Sequence, residues 1–279
     1  MLDLARIEAA RETIAGHVRR TPLQRSDSLS QELGCEVWLK LELFQKTGSF
    51  KPRGAFAQLQ TVLPEARERG VVAVSGGNFA QGAAYAAREL GVRCRVLMPE
   101  ATPANYLDAT RGYGAEVELT AGIPASFERY QRYEQEGWAG VATALNGRLP
   151  GIRMWGVETE GADVMTRSLE AGRPLSIEPT SLAHTLGAPT TCDLALDVVR
   201  RLAQEVVVVS DADAYQGVLW LLERAKVSAE LAAGCTLAAA RRLRRSGRVG
   251  DDARMVLVIC GGNVGLPTLC EYRERFDGG

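Results

Sequence analysis

The chain has 279 residues and is 46% hydrophobic, enough for one large domain or two modest ones. With 33 basic and 34 acidic residues the net charge is −1, which gives no electrostatic reason to expect nucleic acid or an anionic membrane as a partner. Six cysteines without CxxC spacing and only two histidines argue against a structural zinc site or a disulfide framework.

The N-terminal "MLDLARIEAARE" carries charges throughout and has no long apolar core. It reads as neither signal peptide nor membrane span, so the default location is the cytoplasm. His17 falls in a helical pattern, "ARETIAGHVRR", and reads as structural. The stretch "KTGSFKPRGA" (46–55) sets Lys51 between an aromatic residue and a proline, with glycines on both sides. Most lysines occupy a solvated face. One that attacks a carbonyl must be deprotonated, which an apolar setting favours. Phe50 can wall such a site, and Gly48 and Gly54 allow close approach.

Strand-like and helical segments then alternate. "VVAVS" (71–75), "RCRVLMP" (93–99) and "AEVELT" (115–120) read as strands. Between them "NFAQGAAYAAREL" (78–90), capped by Gly91, and "PANYLDATRGYG" (103–114) read as helices. This β-α-β-α-β order predicts a parallel sheet covered by helices. Further strands are expected at "IRMWGVE" (152–158), "EVVVVS" (205–210) and "ARMVLVICGGN" (253–263). Ser210 with Asp213 resembles a capping box opening a helix through "YQGVLWLLERAKV". The basic "RRLRRSGR" (241–248) reads as the solvated end of a helix. The expected fold is α/β with two parallel-sheet units.

Open α/β sheets bind ligands at the carboxyl ends of their strands. Two glycine turns stand there, "SGGN" (75–78) and "CGGN" (260–263). The first opens a helix, so its amides can hold a carboxylate. Taken alone, each reads as a tight turn. Neither histidine has a Ser-His-Asp or Cys-His setting, and no GxSxG or Walker P-loop occurs, so a cofactor is expected to supply any hard chemistry.

Taken in order, these segments resemble the serine/threonine dehydratases, enzymes of the tryptophan-synthase-β-like fold type II that use pyridoxal 5′-phosphate. "KLELFQKTGSFKPRGA" (40–55) resembles the family's lysine signature and "SGGNFAQG" (75–82) its SxGNHAQG loop. "LMPEATPANYLDATRGYGAEVEL" (97–119), "WGVETEGADVM" (155–165) and "VICGGNVGL" (258–266) match its later segments. The resemblance implies a discontinuous large cofactor domain (1–65 and 138–279) and a small substrate-loop domain (66–137). It makes Lys51 the Schiff-base lysine and general base at the substrate Cα, with Phe50 on the cofactor ring and Asn78 at the ring's 3′-oxygen. Ser75, Gly76, Gly77, Asn78 and Phe79 would hold the substrate carboxylate. Cys260, with Gly261 beside it, would face the pyridine nitrogen in place of the usual serine. A neutral thiol does not favour a protonated ring, which points to prompt β-elimination over transamination. Gly76 stands where racemases of this family carry a serine, so little racemase activity is expected.

The implied function is β-elimination of water from threonine, serine or a related 3-hydroxy amino acid, giving a 2-oxo acid and ammonia. The implied assembly is a homodimer or larger, and no regulatory domain follows "GGNVGL". The family's tetraglycine phosphate loop has no counterpart here. "YEQEGW" and "AGVATAL" join near Gly137–Ala139, where a βαβ unit's worth of the pattern, roughly 30–40 residues, is missing. A catalytically inactive relative acting as a binding or regulatory protein is therefore the alternative, beside another fold type II lyase or racemase. No metal is expected. Glu158 and Ala162 match part of a cation site seen in some members, but Val164 replaces its acidic residue. Phe79 replaces a histidine, His184 an aspartate, and "AELAAG" (229–234) an "EPAGA"-like segment that matches only at Glu230.

Overall fold

A computed structural model describes residues 3–120 and 142–277. Helix α1 (Leu4–Ile14) starts at Asp3, whose carboxylate accepts from the Arg6 amide at 2.9 Å. His17 lies beyond the end of this helix, not within it. Its ring stacks on Phe56 with centroids 4.6 Å apart, so its role is packing. Strand β1 (Leu23–Arg25), helix α2 (Asp27–Leu33) and strand β2 (Glu36–Lys40) follow. Helix α3 (Pro52–Thr61) begins directly after Lys51, with Pro52 at the position where a missing N–H costs nothing. Helix α4 (Leu63–Arg69) leads into the first alternating unit.

That unit matches the sequence pattern: β3 (Val71–Val74), α5 (Asn78–Glu89), β4 (Cys94–Pro99), α6 (Ala104–Gly112) and β5 (Glu116–Thr120). Its strands are parallel in the order β3-β4-β5. Gly91, at φ 68°, turns the chain out of α5. Alanines make α5 narrow, and it is buried between the sheet and α3. Phe56, Tyr85 and Met98 form the centre of this core.

The rest of the chain comprises helix α7 (142–148), β6 (Met154–Thr159), α8 (Val164–Ala171), α9 (Asp193–Leu202), β7 (Ala203–Val209), α10 (Asp211–Trp220), α11 (Leu231–Arg245), β8 (Arg254–Val258) and α12 (Leu266–Asp277). The Ser210 hydroxyl accepts from the Asp213 amide at 3.1 Å and donates to the Asp213 carboxylate at 3.0 Å. The cap is present, but the carboxylate bonds the hydroxyl in place of the backbone N–H of a full capping box. The helix is regular only to Trp220, after which residues 221–225 widen into a π-helical turn ending at Lys226, φ 60°.

Outside β3–β5 the described strands form two sheets where the pattern suggested one unit. β8 pairs in parallel with β2, which pairs antiparallel with β1, while β6 pairs only with β7. Alternation shows that a strand exists but not its partner. β8 joins β2 because Val37, Leu39 and Leu257 share one core with Leu237 of α11. Helix α11 packs against β6, β7 and β8 and so links the two sheets. No described strand lies between β8 and β6. The junction near Gly137–Ala139 lies outside the described residues.

The basic run ending α11 is not a free patch. Arg241 pairs with Glu32 at 2.7 Å, Arg244 bonds the Leu33 carbonyl and Asp251, and Arg248 pairs with Glu205. Its arginines tie α11 to α2 and β7. Among the described residues no helix is long and apolar enough to cross a membrane.

Candidate active site

Lys51 is positioned by contacts of the backbone leading into it. The turn before it runs through Thr47 (φ 68°) and Gly48 (φ 70°), a left-handed pair that a β-branched threonine adopts only under strain. Asn263 holds that turn, its Nδ2 donating to the Thr47 carbonyl at 2.7 Å. A Cβ on Gly48 would lie 2.3 Å from Asn263 Oδ1, so glycine is needed for space as well as conformation. The amide of Phe50 then donates to the Cys260 carbonyl at 3.1 Å, and that of Gly262 to the Gly48 carbonyl at 2.9 Å. These bonds lay "GSFK" alongside the turn that ends β8. On the other side Gly82 of α5 meets Lys51 so closely that a Cβ there would be 3.1 Å from the lysine's backbone carbon. A Cβ on Gly54, expected to allow close approach, would meet nothing within 4 Å, so no close packing there calls for glycine. Lys51 Nζ lies 5.1 Å from the Phe50 ring centre.

The "SGGN" turn sits at the carboxyl end of β3. Ser75 is buried, and its hydroxyl accepts from the Gly77 amide at 3.2 Å. Helix α5 then begins without a side-chain cap, leaving its N-terminal amides for an anion. Phe79 turns into the core of the first unit. The Gly82 contact joins Lys51 and this turn in one site.

Behind them lies a polar network. Asn78 Nδ2 donates to both carboxylate oxygens of Glu230, at 2.8 and 3.0 Å, and Thr185 Oγ1 donates to Glu230 at 3.0 Å. Asn263 Nδ2 donates to Asn78 Oδ1 at 2.7 Å. Tyr106 OH reaches Glu230 at 3.5 Å. Burial holds the Glu230 carboxyl above its usual range, against the opposing pull of Asn78, Thr185 and Lys51. Burial likewise pushes the Cys260 thiol well above its ordinary value, and the charge of Glu230 adds to this. Cys260 is therefore a neutral thiol, as the expected pyridine-facing role requires. Gly261 is confined by the same network, since a Cβ there would lie 2.5 Å from Glu230 Oε1.

The predicted cofactor- and substrate-site residues thus lie on three converging segments, the Lys51 turn, "SGGN" and "CGGN", while the side chain of Phe79 packs against the core of the first unit. Sequence reasoning passed over Asn263, Thr185, Tyr106 and Thr102, and noted Glu230 only as a match. Asn263 was visible as the last residue of "CGGN"; the others carry no local signal. His184 is exposed on a short helical turn and offers only its neighbour Thr185. Glu158 spends its carboxylate at the start of α8, accepting from the Met165 and Thr166 amides at 2.8 and 2.9 Å. Ala162 is buried beside it. Among the described residues no cluster of three His, Cys, Asp or Glu is placed to hold a metal ion.

Pyridoxal 5′-phosphate offers an aldehyde, a ring with polar substituents, and a phosphate. The residues present fit the first two. Lys51 carries the amine an aldehyde needs, and Phe50 the face a ring packs on. The buried hydroxyls of Thr47 and Ser49, without partners, suit polar substituents. Among the described residues none is set to hold the phosphate. The whole chain has adjacent glycines only at 76–77, 261–262 and 278–279, and the buried Glu230 carboxylate already stands in the site.

Comparison with known proteins gives the family. The family model described as "Pyridoxal-phosphate dependent enzyme" matches residues 14–139 and 135–261. An L-threonine ammonia-lyase of Thermotoga maritima is 32% identical over 311 positions, covering 95% of this chain and 76% of the relative. A phenylserine dehydratase of Ralstonia pickettii is 30% identical over 314 positions, covering 97% and 96%. Both alignments are longer than this chain of 279 residues, so both relatives contain residues with no counterpart here. The structure of maize serine racemase superposes with a TM-score of 0.88 at 28% identity, over 98% of this chain and 97% of that one. With its family model matched on both sides of the junction and its fold shared across nearly the whole length, the chain belongs to the family of pyridoxal-phosphate dependent enzymes.

Proposed function

We propose that this chain is a lyase that removes water from threonine, serine or a related 3-hydroxy amino acid, yielding a 2-oxo acid and ammonia, with pyridoxal 5′-phosphate as cofactor. The observation that carries the reading is the close contact of Gly82 with Lys51, which sets a lysine and an uncapped helix N-terminus on one site. The relatives, a threonine ammonia-lyase and a phenylserine dehydratase, support it. The cofactor, when bound, supplies the electron sink that makes the substrate Cα proton acidic.

The chain's own residues do the rest. The amides opening α5, with Ser75, hold the substrate carboxylate. This fixes Cα toward Lys51, whose Nζ takes the Cα proton. Cys260, at the ring nitrogen, is a neutral thiol and does not favour a protonated ring, while Asn78 stands at the 3′-oxygen. Gly76 offers no acid or base on the opposite face, which leaves loss of the β-hydroxyl as the outcome.

The test is 2-oxo acid release from threonine, serine and bulkier 3-hydroxy amino acids, with Lys51→Ala as control. Turnover by the parent and none by the variant is expected. No product from any substrate overturns the reading. A second reading, a binding protein without turnover, is favoured by one observation: the mismatch between these residues and a phosphate. It predicts ligand binding with no 2-oxo acid formed.

A further inference from the structure

We infer that the Lys51 site recognises the aldehyde and ring of a pyridoxal-type compound and gives its phosphate no binding advantage. The inference rests on the lyase reading for the role of Lys51 and goes beyond it in naming the ligand class: pyridoxal serves as well as its 5′-phosphate.

A phosphate monoester brings about −1.5 to −2 charges and needs several amide donors or cations. Among the described residues the cations near Lys51 have partners of their own. Arg53 is bonded to Glu42 at 2.9 and 3.0 Å and to the Arg19 carbonyl. Lys40 bonds the Thr21 carbonyl at 2.8 Å and lies 3.7 Å from Glu42. Lys46 lies over the Tyr85 ring. Lys51 faces Glu230 as a counter-charge and is already set against that carboxylate. A phosphate brought to this site would add its charge beside a buried carboxylate that Lys51 already balances. The amides of both glycine turns are also engaged in part. That of Gly262 bonds the Gly48 carbonyl, and that of Gly77 bonds Ser75. The partnerless buried hydroxyls, Thr47 and Ser49, are neutral donors suited to the ring's own substituents.

The test uses the chain's composition. It has only four lysines, at 40, 46, 51 and 226, so a label is easily assigned. The neutral amine of Lys51 adds to the aldehyde carbon, the carbonyl oxygen leaves as water, and a C=N bond remains. Borohydride then delivers hydride to that carbon, and the nitrogen takes a proton from water. Intact mass and peptide mapping after reduction distinguish a pyridoxal from a pyridoxal 5′-phosphate adduct. Titrating each compound separately gives two half-saturation concentrations.

The expected result is labelling at Lys51 by both, with concentrations within about fivefold. A working cradle of two charge-assisted hydrogen bonds would favour the phosphate ester by about 100-fold or more, and that ratio overturns the inference while leaving the lyase reading intact. Labelling at another lysine, or none with either aldehyde, overturns both.

Discussion

Asn78 and Glu230, 152 positions apart in the chain, share two hydrogen bonds of 2.8 and 3.0 Å. The first residue of α5 is thereby fixed to the residue that opens α11. The uncapped helix end, the Lys51 turn and the turn after β8 converge on this pair. It places a carboxylate inside the protein, and burial raises that carboxylate's affinity for a proton.

The consequence is a pH-dependent stability. The ordinary value for this carboxyl is 4.5, and the folded value is higher. A group raised on folding stabilises the protein fully below its unfolded value and loses that contribution as pH rises through the folded one. Thermal melts of the parent and Glu230→Gln should therefore diverge as pH rises above about 4.5, in favour of the variant. A melting-temperature difference that stays constant with pH would contradict this. Lys51, Tyr106 and Cys260 face this carboxylate.

Gly76 is closed to a serine. A Cβ there would lie 2.7 Å from Thr102 Oγ1 and 3.2 Å from Pro99. Gly76→Ser should cost about 1–3 kcal/mol and confer no racemisation of L-serine. Adding Thr102→Ala should recover most of the loss. Calorimetry and a chiral assay check both, and D-serine formed by the parent protein would count against the proposed role of this position.

Gly217 and Gly234 let α10 and α11 cross at backbone contact. A Cβ on Gly217 would sit 2.2 Å from the Gly234 carbonyl oxygen, which cannot move aside as a side chain can. Gly217→Ala should cost about 3 kcal/mol or more, lowering the melting temperature by about 6–12 °C. A variant that melts with the parent would show that the helices can separate freely.

Gly82→Ala tests the lysine's placement. The added methyl would press on Lys51 and Pro52 at 3.1–3.2 Å, and the lysine must shift by a few tenths of an ångström. Product formation should fall about tenfold while the fold is kept, because reacting groups tolerate little misplacement. Unchanged turnover would show that Lys51 does not depend on α5 for its position.

Val256 and Val258 of β8 are 54% and 41% exposed, on the face of the β1-β2-β8 sheet opposite its core. Val256→Lys should keep the melting temperature within about 2 °C and reduce both aggregation and binding of an apolar dye. Loss of folding would instead mean that the face is buried in solution.

The alternation of β-branched runs with alanine-rich helices was legible between 71 and 120, and each element appears there within a residue or two. Short-range periodicity suffices where neighbours in sequence are neighbours in the sheet. It failed for β8, whose partner β2 lies more than 200 positions away, because pairing at that distance depends on a shared core. Lys51, both glycine turns and Cys260 were legible through motif resemblance. Thr185, Tyr106 and Thr102 were not, since a lone hydroxyl in a loop or helix carries no pattern.

By itself the sequence determined the fold class, the candidate lysine at 51, the thiol at 260 and the lack of a four-glycine run, because each is a matter of local composition and order. Only the tertiary structure decided that Glu230 lies buried against Asn78, that Asn263 holds the strained turn before Lys51, and that two glycines fix one helix crossing. Those are contacts between distant segments, and burial, which sets both their energy and their proton affinity, exists only once the chain is packed.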